Sequence, residues 1–152
     1  MEPVQEAITG SEQGAPYGPL VALSEFYRAF NGRDMDAVAT NWEDGDDIAM
    51  DNPLGGIKRG RKEIMAVYSR IFGGTARVYV EFYDYTIHEH GDIFYAVGRE
   101  RGSFTRGDTK IEMVIRTSRI FRRQDGRWQQ VHHHGSIENP QLLEAYQKAV
   151  AG

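Results

Sequence analysis

A chain of 152 residues, 40% hydrophobic and 26% charged, is long enough for one domain with a real core and too short for two ordinary ones. Its net charge of -4, from 18 basic and 22 acidic residues spread along the chain, excludes the basic stripe that a nucleic-acid backbone demands. Having no cysteine, it has no disulfide, thiolate nucleophile or cysteine-based zinc site, and no apolar run approaches the ~18 residues of a membrane span.

The opening MEPVQEAITGSEQGAPYGPL is acidic and lacks a basic stretch followed by an apolar one, so it does not read as a signal peptide; a cytoplasmic location is expected. Its Gly, Pro, Glu and Gln content predicts a loose leader over residues 1–19. Leu20, Leu23, Tyr27 and Phe30 then fall at helical spacing, with Asn31-Gly32 as the stop. Asp34 is the expected N-cap of a second helix that carries Met35, Val38 and Trp42 on one face. Ile48 to Asp51 reads as a short strand, followed by the turn NPLGG. After Gly60, Ile64, Val67, Tyr68 and Ile71 give the clearest helical pattern in the chain.

From Ala76 the period changes to two. Four long alternating stretches follow, separated by Gly91-Asp92, by Arg106-Gly107-Asp108 and by Gln124-Asp125-Gly126, which predicts an antiparallel meander. Asn139-Pro140 opens a closing helix with Leu142, Tyr146 and Val150 on one face. Helices first and a long meander afterwards is an α+β pattern: a curved antiparallel sheet, short strands before the meander, three N-terminal helices as cover and a C-terminal helix. The expected organisation is a leader over 1–19, one domain over 20–138 and the closing helix over 139–152. A sheet that curls under helices leaves a concavity, the default place for a ligand.

Three stretches carry a family resemblance: FYRAFNGRDMDAV, GGIKRGRKEI and RIFRRQDGRWQQVHHHGS, in that order. Together, over Leu20 to Ser136, they resemble the cone-shaped nuclear-transport-factor-2-like superfamily, its SnoaL-like (polyketide-cyclase-like) branch, and the association domain of calcium/calmodulin-dependent kinase II. The scaffold hosts isomerases, cyclases, epoxide hydrolases, dehydratases and non-enzymatic oligomerisation modules, so the resemblance implies a fold and leaves the activity to the site residues. In ketosteroid isomerases a carboxylate just before the corresponding proline is the general base. Here Asn52 holds that position, with Asp51 one residue earlier on a strand whose faces alternate. The isomerase's tyrosine aligns with Phe26, beside Tyr27, and its second aspartate near Ser118, so that catalytic set is not reproduced.

The resemblance to the kinase association domain points to Arg99 and Arg119, 20 residues apart, as pocket arginines that hold carboxylate ligands, with Gly135 where that domain has a third arginine. The other reading of the pair is an internal ion pair with Glu100, Glu112 or Asp51, since a guanidinium among apolar neighbours needs an anion or water. Arg116, in an R-x-S, is a third candidate, placed opposite Arg119 by alternation. His132 and His134 share a strand face with Trp128 and Gln130, and His133 points the other way. They read as a structural or interface strand, as pocket acid/base groups, or, with a third ligand, as a metal site. Tyr27 and Trp42 sit on the helices expected to roof the cavity.

The candidate catalytic groups are therefore Asp51, His132 and His134. The candidate ligand-binding residues are Tyr27, Trp42, Asn52, Arg99, Arg116 and Arg119. No metal and no cofactor is expected, and no phosphate-binding glycine loop or nucleophile elbow is present. Two functions remain: a cofactor-independent acid/base cyclase, isomerase or hydrolase acting on a hydrophobic, anionic or carbonyl-bearing small molecule, or a non-catalytic ligand-binding or oligomerisation module. A homodimer through the outer face of the meander is expected, because no helix remains to cover that face.

Overall fold

Ten elements follow one another in the computed structural model, which describes residues 1–14 and 18–151. They are α1 (Gly18–Asn31), α2 (Met35–Asn41), β1 (Ala49–Asp51), β2 (Lys58–Arg59), α3 (Gly60–Gly73), β3 (Arg77–His90), β4 (Ile93–Arg106), β5 (Thr109–Gln124), β6 (Arg127–Ser136) and α4 (Pro140–Ala151). The local chemistry explains their ends. Asp34 accepts a hydrogen bond from the Ala37 amide at 3.0 Å and so caps α2, and Asn139 does the same for Leu142 at 2.9 Å in α4, with Pro140 at the first helical position. Glu63 in the first turn of α3 reaches back to the Arg59 amide at 3.0 Å.

The six strands form one curved, unclosed sheet in the order β2-β1-β6-β5-β4-β3. The fold is α+β as the sequence pattern predicts, and the meander is antiparallel throughout. The sheet as a whole is mixed, because β1 runs parallel to β6, pairing Met50 with His133. All three meander turns are two-residue turns: His90 pairs with Ile93, Arg106 with Thr109, and Gln124 with Arg127. In the last of these, Asp125 and Gly126 both take positive φ (53° and 75°), the conformation that suits the twist of a tight hairpin.

Two irregularities bend the sheet. In β3, Asp84 has φ 50° and the register slips between Tyr83 and Thr86. In β6, Gln130 pairs with Phe121 and His132 with Ile120, so Val131 is an extra residue. Helices α1, α2 and α3 cover the concave face, where Leu23, Phe26, Tyr27, Val38, Trp42, Ile64, Phe82, Phe94 and Phe121 form the main core. Helix α4 covers the far end of the same face, placing Leu142, Leu143 and Tyr146 on a smaller cluster of Phe104, Met113, Ile115 and Ile137.

The segment expected as a loose leader lies against the edge of the sheet. Val4 exchanges backbone hydrogen bonds with Tyr85 (2.8 and 3.1 Å) and Ile8 with Phe82 (2.8 and 2.9 Å), and Ile8 is buried. Composition favours disorder, but an unpaired sheet edge offers partners that the peptide groups take. Gly10 is needed where this segment crosses α1: its φ is 94°, and a Cβ there would stand 2.3 Å from the Arg28 nitrogen. Residues 15–17 of the expected leader, and residue 152 of the expected closing helix, lie outside the described residues.

Candidate ligand-binding site

The register of the sheet assembles a row across its concave face. Met50 of β1 pairs with His133 of β6, His133 with Arg119 of β5, and Arg119 with Ala96 of β4. Residues directly opposite in neighbouring strands share a face, so these side chains stand side by side beneath the helices. Arg119 is 3% exposed, and its guanidinium lies 3.8 Å above the Phe26 ring.

A charge buried this deeply requires partners on every side, and Arg119 has them. Its Nη2 donates to Glu100 (3.2 Å), its Nη1 to Gln130 (2.7 Å), and its Nε to the Tyr27 hydroxyl (3.2 Å). Glu100 accepts in addition from Tyr27 at 2.6 Å and from Thr117 at 2.9 Å, and Gln130 donates to Asn41 at 3.1 Å. Burial works against the Arg119 charge, but Tyr27 and Glu100 outweigh it and raise the guanidinium further above its usual value. Burial, assisted by Glu100, pushes the Tyr27 phenol well above its ordinary range and keeps it a neutral donor. His133 moves the other way: burial and then the Arg119 charge hold its imidazole well below the usual value, leaving it neutral.

Between this row and the helices lies a hollow of about 70 Å³. Phe26 and Phe30 of α1, Val67, Tyr68 and Ile71 of α3, and Met113 and Ile115 of β5 supply its apolar wall. Asn52, Glu100, Arg119, His133 and Tyr146 supply polar groups. Typical ligand pockets enclose roughly 300–1,000 Å³, so this hollow suits a compact molecule or the head of a longer one. A larger cleft of about 490 Å³, lined by Arg99, Arg116, Ser118, His134 and Ser136, opens on the convex face. Its cations are already engaged and wet: Arg99 pairs with Glu138 at 2.6 Å and Asp84 at 3.4 Å, and Arg116 with Ser136 at 3.2 Å.

The structure divides the expected site residues between two faces. Arg119 and Asn52 border the hollow. The Asn52 side chain accepts from the Leu54 amide at 3.0 Å, which fixes the turn at the rim. Tyr27 and Trp42 stand one layer behind, Tyr27 bonded to Glu100 and Trp42 donating to the Tyr68 hydroxyl at 3.3 Å. Arg99, Arg116, Asp51, His132 and His134 lie on the convex face, where Asp51 sits 2.6 Å from His134 Nδ1 and 3.8 Å from His132 Nε2. Arg99 thus lines the convex cleft, ion-paired with Glu138 and Asp84, rather than sharing the concave hollow with Arg119, and Arg116 pairs with it directly across the strands. Trp128 and Gln130 do not share the face of His132 and His134, because the Val131 bulge reverses the alternation between them. Gln130 is fully buried beside Arg119, and Trp128 packs edge-on against Phe94.

Sequence reasoning missed Glu100, Tyr68 and His133 as site residues. The signal for Glu100 was its place as an anionic candidate beside Arg99. For His133 it was alternation itself, which set it apart from its two neighbours. Among the described residues no three His, Asp or Glu side chains gather to hold a metal, and no helix is long and apolar enough to cross a membrane.

The comparisons agree on architecture. A family profile described as the SnoaL-like domain matches residues 20–140. A candidate dehydratase of the NTF2-like family from Streptomyces avermitilis superposes with a TM-score of 0.70 at 21% identity, over 80% of this chain and 94% of that one. A candidate calcium/calmodulin-dependent protein kinase type II association domain from Thiobacillus denitrificans is similar at 0.68 and 25% identity, over 84% of this chain and 100% of the other. A ketosteroid isomerase-like protein from Erwinia carotovora atroseptica gives 0.65 and 22%, over 79% and 93%. No curated protein matches the sequence.

Proposed function

Because the chain belongs to the SnoaL-like family, we propose that it binds a compact, mostly apolar, uncharged molecule carrying a carbonyl or hydroxyl group, in the hollow between the concave sheet face and α1 and α3. The observation that carries this reading is the pairing of Arg119 with Glu100 inside an apolar wall. The hollow offers directed hydrogen-bonding groups, while its one cation is matched by one buried anion. A second, unpaired anion brought beside Glu100 would lose its hydration without gaining a free counter-charge. Of the two ligand chemistries expected, the carbonyl-bearing one fits better than the anionic one.

As an enzyme, the protein would be a cofactor-independent cyclase, isomerase or hydrolase whose proton transfer falls to Glu100, the carboxylate that borders the hollow, with His133 as a neutral hydrogen-bond acceptor beside it. Asp51, His132 and His134 would have no part in it, since they face the opposite side of the sheet. The rival reading, a non-catalytic module, keeps the same pocket and drops turnover. A homodimer formed through the convex face is proposed with either: Tyr79, Tyr95, Val97 and Val114 are exposed there, 36–45% each. Sedimentation as a monomer at micromolar concentration would remove the dimer.

The test is a melting-temperature panel of small ketones, phenols and matched carboxylates, run on the native protein and on Val67→Phe, which fills the hollow. Stabilisation by neutral compounds that disappears in Val67→Phe is expected. Stabilisation confined to carboxylates, or unaltered by Val67→Phe, contradicts the proposal. Turnover of any stabilising ketone decides for the enzyme over the module.

A further inference from the structure

The middle histidine of the HHH run has a fixed proton. Its Nδ1 lies 3.3 Å from the backbone carbonyl oxygen of Ser118. A carbonyl oxygen only accepts, so Nδ1 carries the hydrogen and Nε2 of the neutral ring carries a lone pair. No protein donor reaches Nε2 among the described residues, yet no deeply buried side-chain nitrogen or oxygen there is left without a partner. Nε2 therefore borders open space, and the space that His133 lines is the hollow.

A donor stands close by. The Tyr68 hydroxyl accepts from Trp42 and directs its own hydrogen at the Met50 sulfur, 3.7 Å away, a weak acceptor that a ligand oxygen easily replaces. Met50 is the strand partner of His133, so the Tyr68 hydroxyl meets the sheet at the row that His133 occupies, and both residues line the hollow. Four other polar or charged groups from the packed elements line the hollow with His133: Arg119 of β5, Glu100 of β4, Tyr68 of α3 and Tyr146 of α4. Asp51 of β1, with His132 and His134, lies across the sheet. Protonating His133 would place a second cation beside Arg119, so a ligand is held by accepting its hydrogen bond rather than by removing its proton.

Resting on the reading of the hollow as the ligand site, we propose that His133 makes this pocket selective for a neutral hydroxyl group, a phenol or the enol of a small ketone. The ligand oxygen donates its hydrogen to His133 Nε2 and accepts one from Tyr68. His132 and His134 flank the same position in sequence and take no part, because they point through the sheet.

Phenol and fluorobenzene, nearly equal in size, are the probes, with binding to the full chain at neutral pH measured by ligand-observed NMR. The native protein is expected to bind phenol about tenfold more tightly, the value of one well-made buried hydrogen bond. His133→Leu should keep fluorobenzene binding and lose the preference, and His133→Gln, which restores an acceptor, should recover part of it. Equal binding of the two probes by the native protein, or a preference that survives in His133→Leu, overturns the assignment to His133 while the hollow stands. Binding of neither probe removes the pocket itself. Should His133→Leu not fold, long-range proton–nitrogen spectra of the histidine-labelled native protein decide. An unprotonated His133 Nε2 resonance that moves with phenol and not with fluorobenzene is expected; a protonated or unmoved Nε2 overturns the proposal.

Discussion

Arg119 and Arg99 come from adjacent strands of one hairpin, and they have opposite fates. On the concave face, Arg119 is 3% exposed and every partner is a protein group: Glu100, Gln130, Tyr27 and the Phe26 ring. On the convex face, the Arg99 side chain is 40% exposed and shares its carboxylates, Glu138 and Asp84, with water. The same guanidinium is thus the centre of a buried hydrogen-bond network on one side and a solvated ion pair on the other. Dielectric environment makes the difference: a pair in water is worth little, whereas breaking a buried pair strands a charge.

That contrast can be broken or sharpened by substitution. The largest effect is expected from Glu100→Gln or Arg119→Met alone, each lowering unfolding free energy by about 3–5 kcal/mol in denaturant titrations. Glu100→Leu combined with Arg119→Met should restore much of it, because no unpaired charge then remains. A loss below about 1 kcal/mol for either single change would mean that water reaches the pair. Thr117→Val removes one donor to Glu100 without changing shape and should cost about 1–3 kcal/mol. Its outward neighbour Ser118→Ala should cost far less.

The pH dependence of stability is next. His133 has a folded value well below its usual 6.5. As the pH falls below about 6.5, the unfolded chain takes up a proton that the folded ring refuses, so stability drops by up to ~1.4 kcal/mol per pH unit until the folded value is reached. Above that range the contribution is complete. His133→Gln should flatten this slope, and an unchanged slope would show that other groups cause it. Smallest of all, Arg99→Ala should alter stability by about 0.5 kcal/mol or less, and a high-salt measurement should abolish even that.

Much of the fold was legible because each signal was local: Asp34 and Asn139 as caps, the helical spacing of Ile64, Val67, Tyr68 and Ile71, and the period-two meander. The site was less so, for a reason that can be traced to one turn. If Arg106-Gly107-Asp108 made a three-residue loop, residues of equal parity would face each other and Arg99 and Arg119 would share a face. The loop is two residues, Gly107-Asp108, so paired residues differ in parity and an even separation puts the two arginines on opposite faces. Likewise Gln130 and Trp128 were misplaced by the single extra residue Val131, which nothing in local composition announces. Alternation held within each unbulged stretch. Which face it addressed depended on turn length and bulges, which are properties of pairing between strands.

The five methionines offer the most direct measurement on the central claim, that the hollow on the concave face takes a small neutral ligand. Met50 and Met113 line it, whereas Met1, Met35 and Met65 do not. In a carbon-13 methionine-methyl spectrum, titration with phenol should shift the Met50 and Met113 signals and leave the other three in place. Shifts at Met1, Met35 or Met65 alone, or five unmoved signals at saturating phenol, would contradict it.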